Sequence, residues 1–366
     1  MCGNEVIGEA AIQAGCRFYA GYPITPQNEL PQYMSRRMVE VGGTFIQAES
    51  ELAAINLVFG ASAAGARAMT SSSSPGISLK QEGISYLAAC QLPAVIVNMM
   101  RGGPGLGNIA PAQSDYFQAT RGGGHGDYRT IVLAPATVEE AWNLTRHAFD
   151  LADEYRIPVM ILADGILGQM MEPIEVITTR SSVNGRMANN EYRISKPWAL
   201  TGCRGRKPNV IRSLLLGDGE LEEHNKHLEL KFNKIKSKEV RFESLYTEDS
   251  DLVVVAYGTT SRIVRAAISA ARRERVRVGM LRPITLSPFP VDALQKLAKK
   301  AKAFLVVEMS LGQMLEDVKL AVLGEKPVYF YGRTGGVVPT EEAVLSAIRE
   351  IFETKSRKKF IHEKSF

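Results

Sequence analysis

Cysteine is scarce in this 366-residue chain. The four present, Cys2, Cys16, Cys90 and Cys203, are scattered with no CxxC pair. That spacing excludes a zinc ribbon or a ferredoxin-type cluster built by this chain alone. It also argues against a disulfide framework, which needs dense cysteine in a short chain. No apolar run approaches the ~18 residues of a transmembrane helix. The first residues lack a basic stretch followed by an apolar one, so no secretory signal is expected and a cytoplasmic location is the default. Charge of one sign is not banded: Lys and Arg number 44, Asp and Glu 39, for a net charge of +5. The one basic run, Lys355-Ser-Arg-Lys-Lys359, reads as a solvated terminus, not a nucleic-acid site. His125 has no second histidine at metal-ligand spacing, so no metal is expected on this chain.

What is present is an ordinary globular balance, 45% apolar and 23% charged, which excludes a largely disordered chain. Length suggests two or three domains. Residues 1–178 alternate short apolar runs with helical patterns. Strands are predicted at 16–20, 44–48, 66–71, 94–98, 130–133 and 158–162. The clearest helix spans 138–154, with apolar residues three and four apart and a Thr137/Glu140 capping-box pattern. Val- and Ile-rich strands alternating with helices predict a parallel sheet covered on both faces. Residues 179–248 differ: a polar, aperiodic stretch precedes a charged helix at 221–239, and the whole reads as a connecting segment. The α/β rhythm returns in a smaller domain at 249–353, with strands at 252–256, 276–281, 303–307 and 328–331 and helices at 260–275 and 340–352. A basic tail, 354–366, follows.

In open α/β sheets, ligands gather outside the carboxyl ends of strands. Three segments place polar groups there. Gly21-Tyr-Pro-Ile-Thr-Pro26 is stiffened by two prolines and presents Thr25; a rigid turn would read the same way. Glu51 opens a helix, either as a partner of the helix dipole or as an acid aimed at a heterocyclic nitrogen. The Ala/Gly face from Gly60 to Gly65 would let another backbone approach. Arg101-Gly-Gly-Pro-Gly-Leu-Gly107 lacks the helix a dinucleotide fingerprint requires. It reads better as a substrate loop presenting Arg101, whose fork suits a carboxylate, although a surface ion pair is the plainer role. Met99, Met100 and Leu106 weakly favour a branched apolar substrate. His125 and Asp127, in a glycine-rich loop, could orient a proton carrier, although a surface or structural role is the plainer one for a lone histidine there. Gly217-Asp-Gly219 is similar to the opening of a magnesium-binding GDG…N motif, but no Asn follows at the required distance. It reads as a turn that opens the charged helix.

Tyr22-Pro-Ile-Thr-Pro26, Glu49-Ser-Glu51 with Gly60, Thr70-Ser-Ser-Ser-Ser-Pro-Gly76, Asn98-Met-Met-Arg-Gly-Gly-Pro104 and Gly124-His-Gly-Asp127 occur in that order. Leu281-Arg-Pro-Ile-Thr285, Pro288-Phe-Pro290 and Glu308-Met-Ser-Leu-Gly-Gln-Met314 follow. As a set, over nearly the whole chain, they resemble the alpha subunit of 2-oxoacid:ferredoxin oxidoreductases, nearest to the 2-oxoisovalerate (3-methyl-2-oxobutanoate) type. The resemblance implies a pyrimidine-type thiamine-diphosphate domain followed by a transketolase C-terminal-like α/β domain. It implies that Glu51 contacts N1′ of the cofactor's aminopyrimidine, with Tyr22 and Pro23 as further cofactor contacts, and that Thr25 and Arg101 contact the substrate carboxylate. It assigns the diphosphate and its Mg2+ to a beta subunit, and iron–sulfur clusters to gamma or ferredoxin-like delta subunits. Coenzyme A is the co-substrate and ferredoxin the electron acceptor. The implied reaction is oxidative decarboxylation of a 2-oxoacid to acyl-CoA. 2-Oxoglutarate, pyruvate or an aryl pyruvate as substrate, a non-catalytic scaffold subunit, and a dinucleotide-dependent dehydrogenase remain the alternatives.

Overall fold

The computed structural model describes residues 1–175, 182–183, 186–187 and 195–356. Parts of the polar stretch near 180–194, and the basic tail from residue 357 on, lie outside the described residues.

The chain opens with α1 (Gly3–Gln13), β1 (Phe18–Gly21), α2 (Glu29–Glu40), β2 (Thr44–Gln47), α3 (Glu51–Ala63), β3 (Ala68–Ser72), α4 (Ser74–Ala89) and β4 (Ala94–Met100). It continues through α5 (Tyr116–Arg121), β5 (Ile131–Leu133), α6 (Val138–Tyr155), β6 (Pro158–Asp164) and α7 (Gly165–Gln169). Each strand predicted from the sequence in this half is present. β3, β4 and β6 are buried along their whole length, as a parallel sheet covered on both faces requires. One apolar layer lies under α3 and α4 (Ile55, Ile77, Ile84, Leu87) and another under α1 and α6 (Val6, Ile7, Trp142, Phe149). Thr137 does cap α6, its Oγ1 accepting from Glu140 N at 3.1 Å. The Glu140 carboxylate does not close the capping box. It accepts instead from Ala136 N and from the guanidinium of Arg282.

A short ribbon, β7 (Ser182–Val183) with β8 (Arg186–Met187), precedes α8 (Glu220–Lys238). Gly219 stands before α8 in the left-handed region, so Gly217-Asp-Gly219 is the turn that starts this helix. α8 lies against the first domain. It buries Leu228 and Ile235, and Lys231 Nζ donates to Arg156 O at 3.0 Å.

The second unit contains β9 (Phe242–Leu245), β10 (Leu252–Val255), α9 (Thr260–Arg273), β11 (Val278–Pro283), β12 (Thr285–Ser287), α10 (Val291–Ala298), β13 (Ala303–Glu308), α11 (Gln313–Val322), β14 (Val328–Gly332) and α12 (Glu341–Ser356). Its sheet runs β14-β13-β10-β11-β9, parallel except for β9. Two short strands were not legible in the sequence. β9 falls in the expected connecting segment, yet it pairs antiparallel with β11. β12 leaves its own unit and adds antiparallel to β5, completing a seven-stranded sheet of order β12-β5-β6-β4-β3-β1-β2.

The two units are joined by buried polar groups. Gln113 Nε2 donates to Tyr257 O at 2.9 Å, and its Oε1 accepts from Thr260 Oγ1 at 2.8 Å and Met309 N at 3.0 Å. Asp164 caps α7 and also accepts from the Thr259 hydroxyl; burial pushes its carboxyl pKa up. Arg282 donates to Glu140 across the boundary. Each buried partner left unsatisfied costs about 1–3 kcal/mol. Gln113→Ala is therefore expected to lower the unfolding free energy by about 2–4 kcal/mol and to separate the unfolding of the two units. Chemical denaturation followed with domain-specific probes measures both.

Candidate active site

The order β4-β3-β1-β2 contains a reversal of chain progression: β1 connects outward to β2, and β2 connects back across to β3. A crevice forms at such a switch point, outside the carboxyl ends of β1 and β3. Four segments reach that edge: 22–26 after β1, Glu51 after β2, the serines after β3, and Arg101 after β4.

Arg101 is buried, with one guanidinium Nη donating to Thr25 O at 3.1 Å and the other to Leu106 O at 3.2 Å. The structure thus brings together Thr25 and Arg101, from segments 76 residues apart. The Nε of Arg101 is buried without a partner. Thr25 is exposed, its hydroxyl accepting from Asn28 Nδ2 at 3.3 Å, and Tyr22 and Pro23 are exposed on the same loop. The loop after Arg101 folds back on itself through Asn108 N→Gly102 O at 2.9 Å. Gly107 has φ +54° there, and a Cβ would lie 1.7 Å from Gly102 O, so glycine is required.

Glu51 is the first residue of α3, directly after the Ser50 cap, whose Oγ accepts from Ala53 N at 3.1 Å. Its side chain is buried, at 7% exposure. Room for it comes from α4: a Cβ on Gly76 would sit 2.6 Å from Glu51 Oε1 and 2.1 Å from Ser72 Oγ. Of the Gly60–Gly65 face expected to admit another backbone, Gly60 meets open space, while residues 199–200 do approach its end: a Cβ on Gly65 would lie 3.0 Å from Ala199 Cβ, and Leu200 N donates to Ala63 O at 2.8 Å. Helices α3 and α4 touch through Gly76 and Gly83 of α4 instead, Gly83 lying against Ile55.

Several site groups carry no sequence pattern that marks them. Asp115 is half-buried, accepting from Ser74 Oγ at 2.6 Å and Asn98 Nδ2 at 2.9 Å; desolvation pushes its pKa up. Ser74 Oγ also accepts from Arg101 N at 3.0 Å, which ties the Arg101 loop to the start of α4. Ser72 Oγ, Ser73 Oγ and Asn98 Oδ1 are buried without partners. Lys80 is wholly buried, donating to Thr70 Oγ1 at 2.8 Å and Ser71 O at 2.9 Å. An apolar helical stretch would have suggested none of these buried charges.

One expectation needs correction. Met99 and Met100 lie within β4 and pack into the two cores on either side of the sheet, because strand alternation sends them to opposite faces. They do not line the crevice; Leu106 alone of the three stands out from the loop. His125 and Asp127 are exposed on a loop that packs on the later turns of α4, where the His125 ring meets Tyr86 edge-on. That is the amino end of β5, away from the crevice.

The residues at the crevice fit the pyrimidine half of a thiamine-type cofactor: a buried acid seated over a glycine, with unpartnered hydroxyl and amide groups beside it. Among the described residues, no cluster of three or more His, Cys, Asp or Glu is placed to hold a metal, and no helix is long and apolar enough to cross a membrane. The fold is a parallel α/β sheet with a candidate site at its switch point, joined to a smaller α/β unit.

Comparison with known proteins narrows this. Residues 9–229 match the family described as pyruvate flavodoxin/ferredoxin oxidoreductase, thiamine diphosphate-binding, and residues 250–344 match pyruvate:ferredoxin oxidoreductase core domain II. The ketoisovalerate oxidoreductase subunit VorB of Methanothermobacter thermautotrophicus is 50% identical over 95% of this chain and 96% of its own. The 2-oxoglutarate synthase subunit KorA of Methanocaldococcus jannaschii is 37% identical over 95% and 98%. Among solved structures, 2-oxoglutarate:ferredoxin oxidoreductase from Magnetococcus marinus, with 2-oxoglutarate, coenzyme A and succinyl-CoA bound, superposes with a TM-score of 0.82 at 28% identity. That match covers 96% of this chain but 64% of the other, so this chain spans under two thirds of that larger polypeptide. A split-gene transketolase, at 13% identity and a TM-score of 0.61, shares the fold. The chain belongs to the 2-oxoacid:ferredoxin oxidoreductases, heteromeric enzymes that use thiamine diphosphate, iron–sulfur clusters and coenzyme A.

Burial pushes the Lys80 pKa down to about 7, partly offset by the field of Glu51. An unfolded lysine titrates near ~10.4. Between those values the unfolded chain binds more protons, so Lys80 makes stability rise with pH across that window, and its cost is fully present below pH ~7. Lys80→Met should therefore stabilise the chain more at pH 6 than at pH 9, by on the order of 3 kcal/mol. Denaturant unfolding of both proteins at the two pH values measures the difference.

Proposed function

We propose that this chain binds the aminopyrimidine half of thiamine diphosphate in a complex that oxidatively decarboxylates a branched-chain 2-oxoacid of the 2-oxoisovalerate class to its acyl-CoA. The observation that carries this reading is the seating of Glu51 over Gly76, at the carboxyl edge beside the Arg101–Thr25 pair. The substrate class is supported by the name of the relative at 50% identity and by the outward apolar side chain of Leu106 on the loop that Arg101 holds.

When bound, the cofactor supplies the carbon nucleophile and the electron sink that decarboxylation needs. Glu51 holds the proton at N1′ of the aminopyrimidine. Its burial keeps water from competing for that hydrogen bond. Tyr22 and Pro23 border the ring. Arg101 and the Thr25 hydroxyl orient the substrate carboxylate before it is lost. Asp115, through Ser74, keeps the Arg101 loop in register with α4. A beta subunit with the diphosphate-binding motif and its Mg2+ completes the site. Gamma and ferredoxin-like delta subunits carry the clusters that pass electrons to ferredoxin.

Reconstitution tests the assignment. The isolated chain should turn over nothing, and with its partner subunits it should reduce ferredoxin in a coenzyme-A-dependent manner. In a panel of 2-oxoisovalerate, 2-oxoglutarate, pyruvate and an aryl pyruvate, kcat/KM should be highest for 2-oxoisovalerate, by roughly tenfold or more, which is about 1.4 kcal/mol of discrimination. In the same complex, Glu51→Gln should lower kcat by about 100-fold or more while cofactor binding largely survives. Unchanged turnover would leave Glu51 as no more than a partner of the helix dipole.

A further inference from the structure

The buried cation beside the candidate acid has no part in the scheme above. Positions 76, 80 and 83 share one face of α4. That face turns toward α3: a Cβ at Gly76 would meet Glu51, and one at Gly83 would meet Ile55 Cγ2 at 2.6 Å. Lys80 stands between these two close approaches and has no exposed surface. Its ammonium is fixed to β3 by Thr70 Oγ1 and Ser71 O, both neutral.

The elements packed against α4 supply few charges. Helix α3 contributes Glu51, and β3 contributes neutral hydroxyl and carbonyl groups. β4 contributes Asn98, which is tied to Asp115, and β6 ends in Asp164, which is tied to Thr259. Glu51 is the group whose field acts on Lys80. A fully buried ammonium held by neutral acceptors is unfavourable, and an apolar side chain of similar length would fill the same space. Its position is explained if the charge serves the neighbouring carboxylate.

We propose that Lys80 is a positioning residue for Glu51, its anchored ammonium holding the acid in the ionised form at the edge where it meets the aminopyrimidine. This rests on the reading of Glu51 as the cofactor's partner. In a poorly solvated gap a cation favours a neighbouring carboxylate far more than in water. A proton shared between Glu51 and the ring nitrogen then lies toward the ring. When that proton leaves the pair, a net negative charge remains, and Lys80 stabilises it. Lys80 therefore lowers the pH at which the shared proton is lost. No electrons move, and the proton passes to solvent.

A double-mutant cycle of Lys80→Met and Glu51→Gln in the assembled complex tests this. The readout is the near-UV circular dichroism of bound thiamine diphosphate, whose bands follow the protonation state of the aminopyrimidine, titrated from pH 5.5 to 9, with the native protein compared below pH 7, where Lys80 keeps its charge. Lys80→Met alone is expected to raise the midpoint by about one pH unit, and to move it by less than about 0.3 unit when Glu51 is already Gln. Lys80→Gln, which removes the charge but keeps donors for Thr70 and Ser71, should shift the midpoint in the same direction; it also serves if Lys80→Met fails to assemble. The proposal is overturned if no shift appears, or if an equal shift appears in both backgrounds, since Lys80 would then be a structural cation only. If Glu51→Gln leaves the native titration unchanged, the reading of Glu51 itself fails and the proposal falls with it.

Discussion

A carboxylate can stay at the edge of a closely packed parallel sheet only where a neighbouring element makes room for it. Here that room is the missing side chain of Gly76. With any Cβ at that position, Ser72 and Glu51 would both have to move. The same contact sets the spacing of α3 and α4, which in turn fixes the β3 turn of serines and the start of α4 that Arg101 and Asp115 share. The crevice at the strand ends depends on how closely two helices approach, and that distance is set by two glycines and the residues facing them.

The second constraint is the joint between the two units. Arg282, Gln113 and Asp164 bury polar groups there, and each is satisfied from the opposite side. Such a joint is unforgiving, because breaking any one bond leaves a desolvated group behind. Strand β12 strengthens it by carrying a piece of the second unit into the first sheet. The loop from Arg101 to Asp115 runs beside this joint, with Asn108 Nδ2 reaching Gly335 O at 2.8 Å. The Arg101 loop is thus braced from both units.

Long, strongly patterned elements were legible in the sequence. The strands later seen as β3, β4, β6 and β10 are apolar runs with little alternative, and helix α6 carries both a 3.6-residue period and its Thr137 cap. Glu51, Thr25 and Arg101 could be picked out because each interrupts a strand end. β9 and β12 could not, since short antiparallel additions are made by tertiary pairing and leave no period of their own. Met99 and Met100 misled because they sit next to Arg101 in sequence. A strand's alternation buries them in two different cores. Lys80 was invisible for the opposite reason: a lysine in a helix reads as solvated until the packing around it is known.

The sequence by itself determined that the chain is two α/β units, which residues stand at the strand ends, and which family their order resembles. Those properties follow from local periodicity and from motifs that keep their order along the chain. Only the tertiary structure decided which of those residues meet. Thr25 and Arg101 join because the sheet order reverses between β1 and β3, and Glu51 is buried because α4 presents Gly76 to it. Lys80 lies on the side of α4 that meets α3 because positions 76, 80 and 83 fall on one helical face. Contacts between segments far apart in sequence depend on packing distances of a few tenths of an ångström, and no local pattern encodes them.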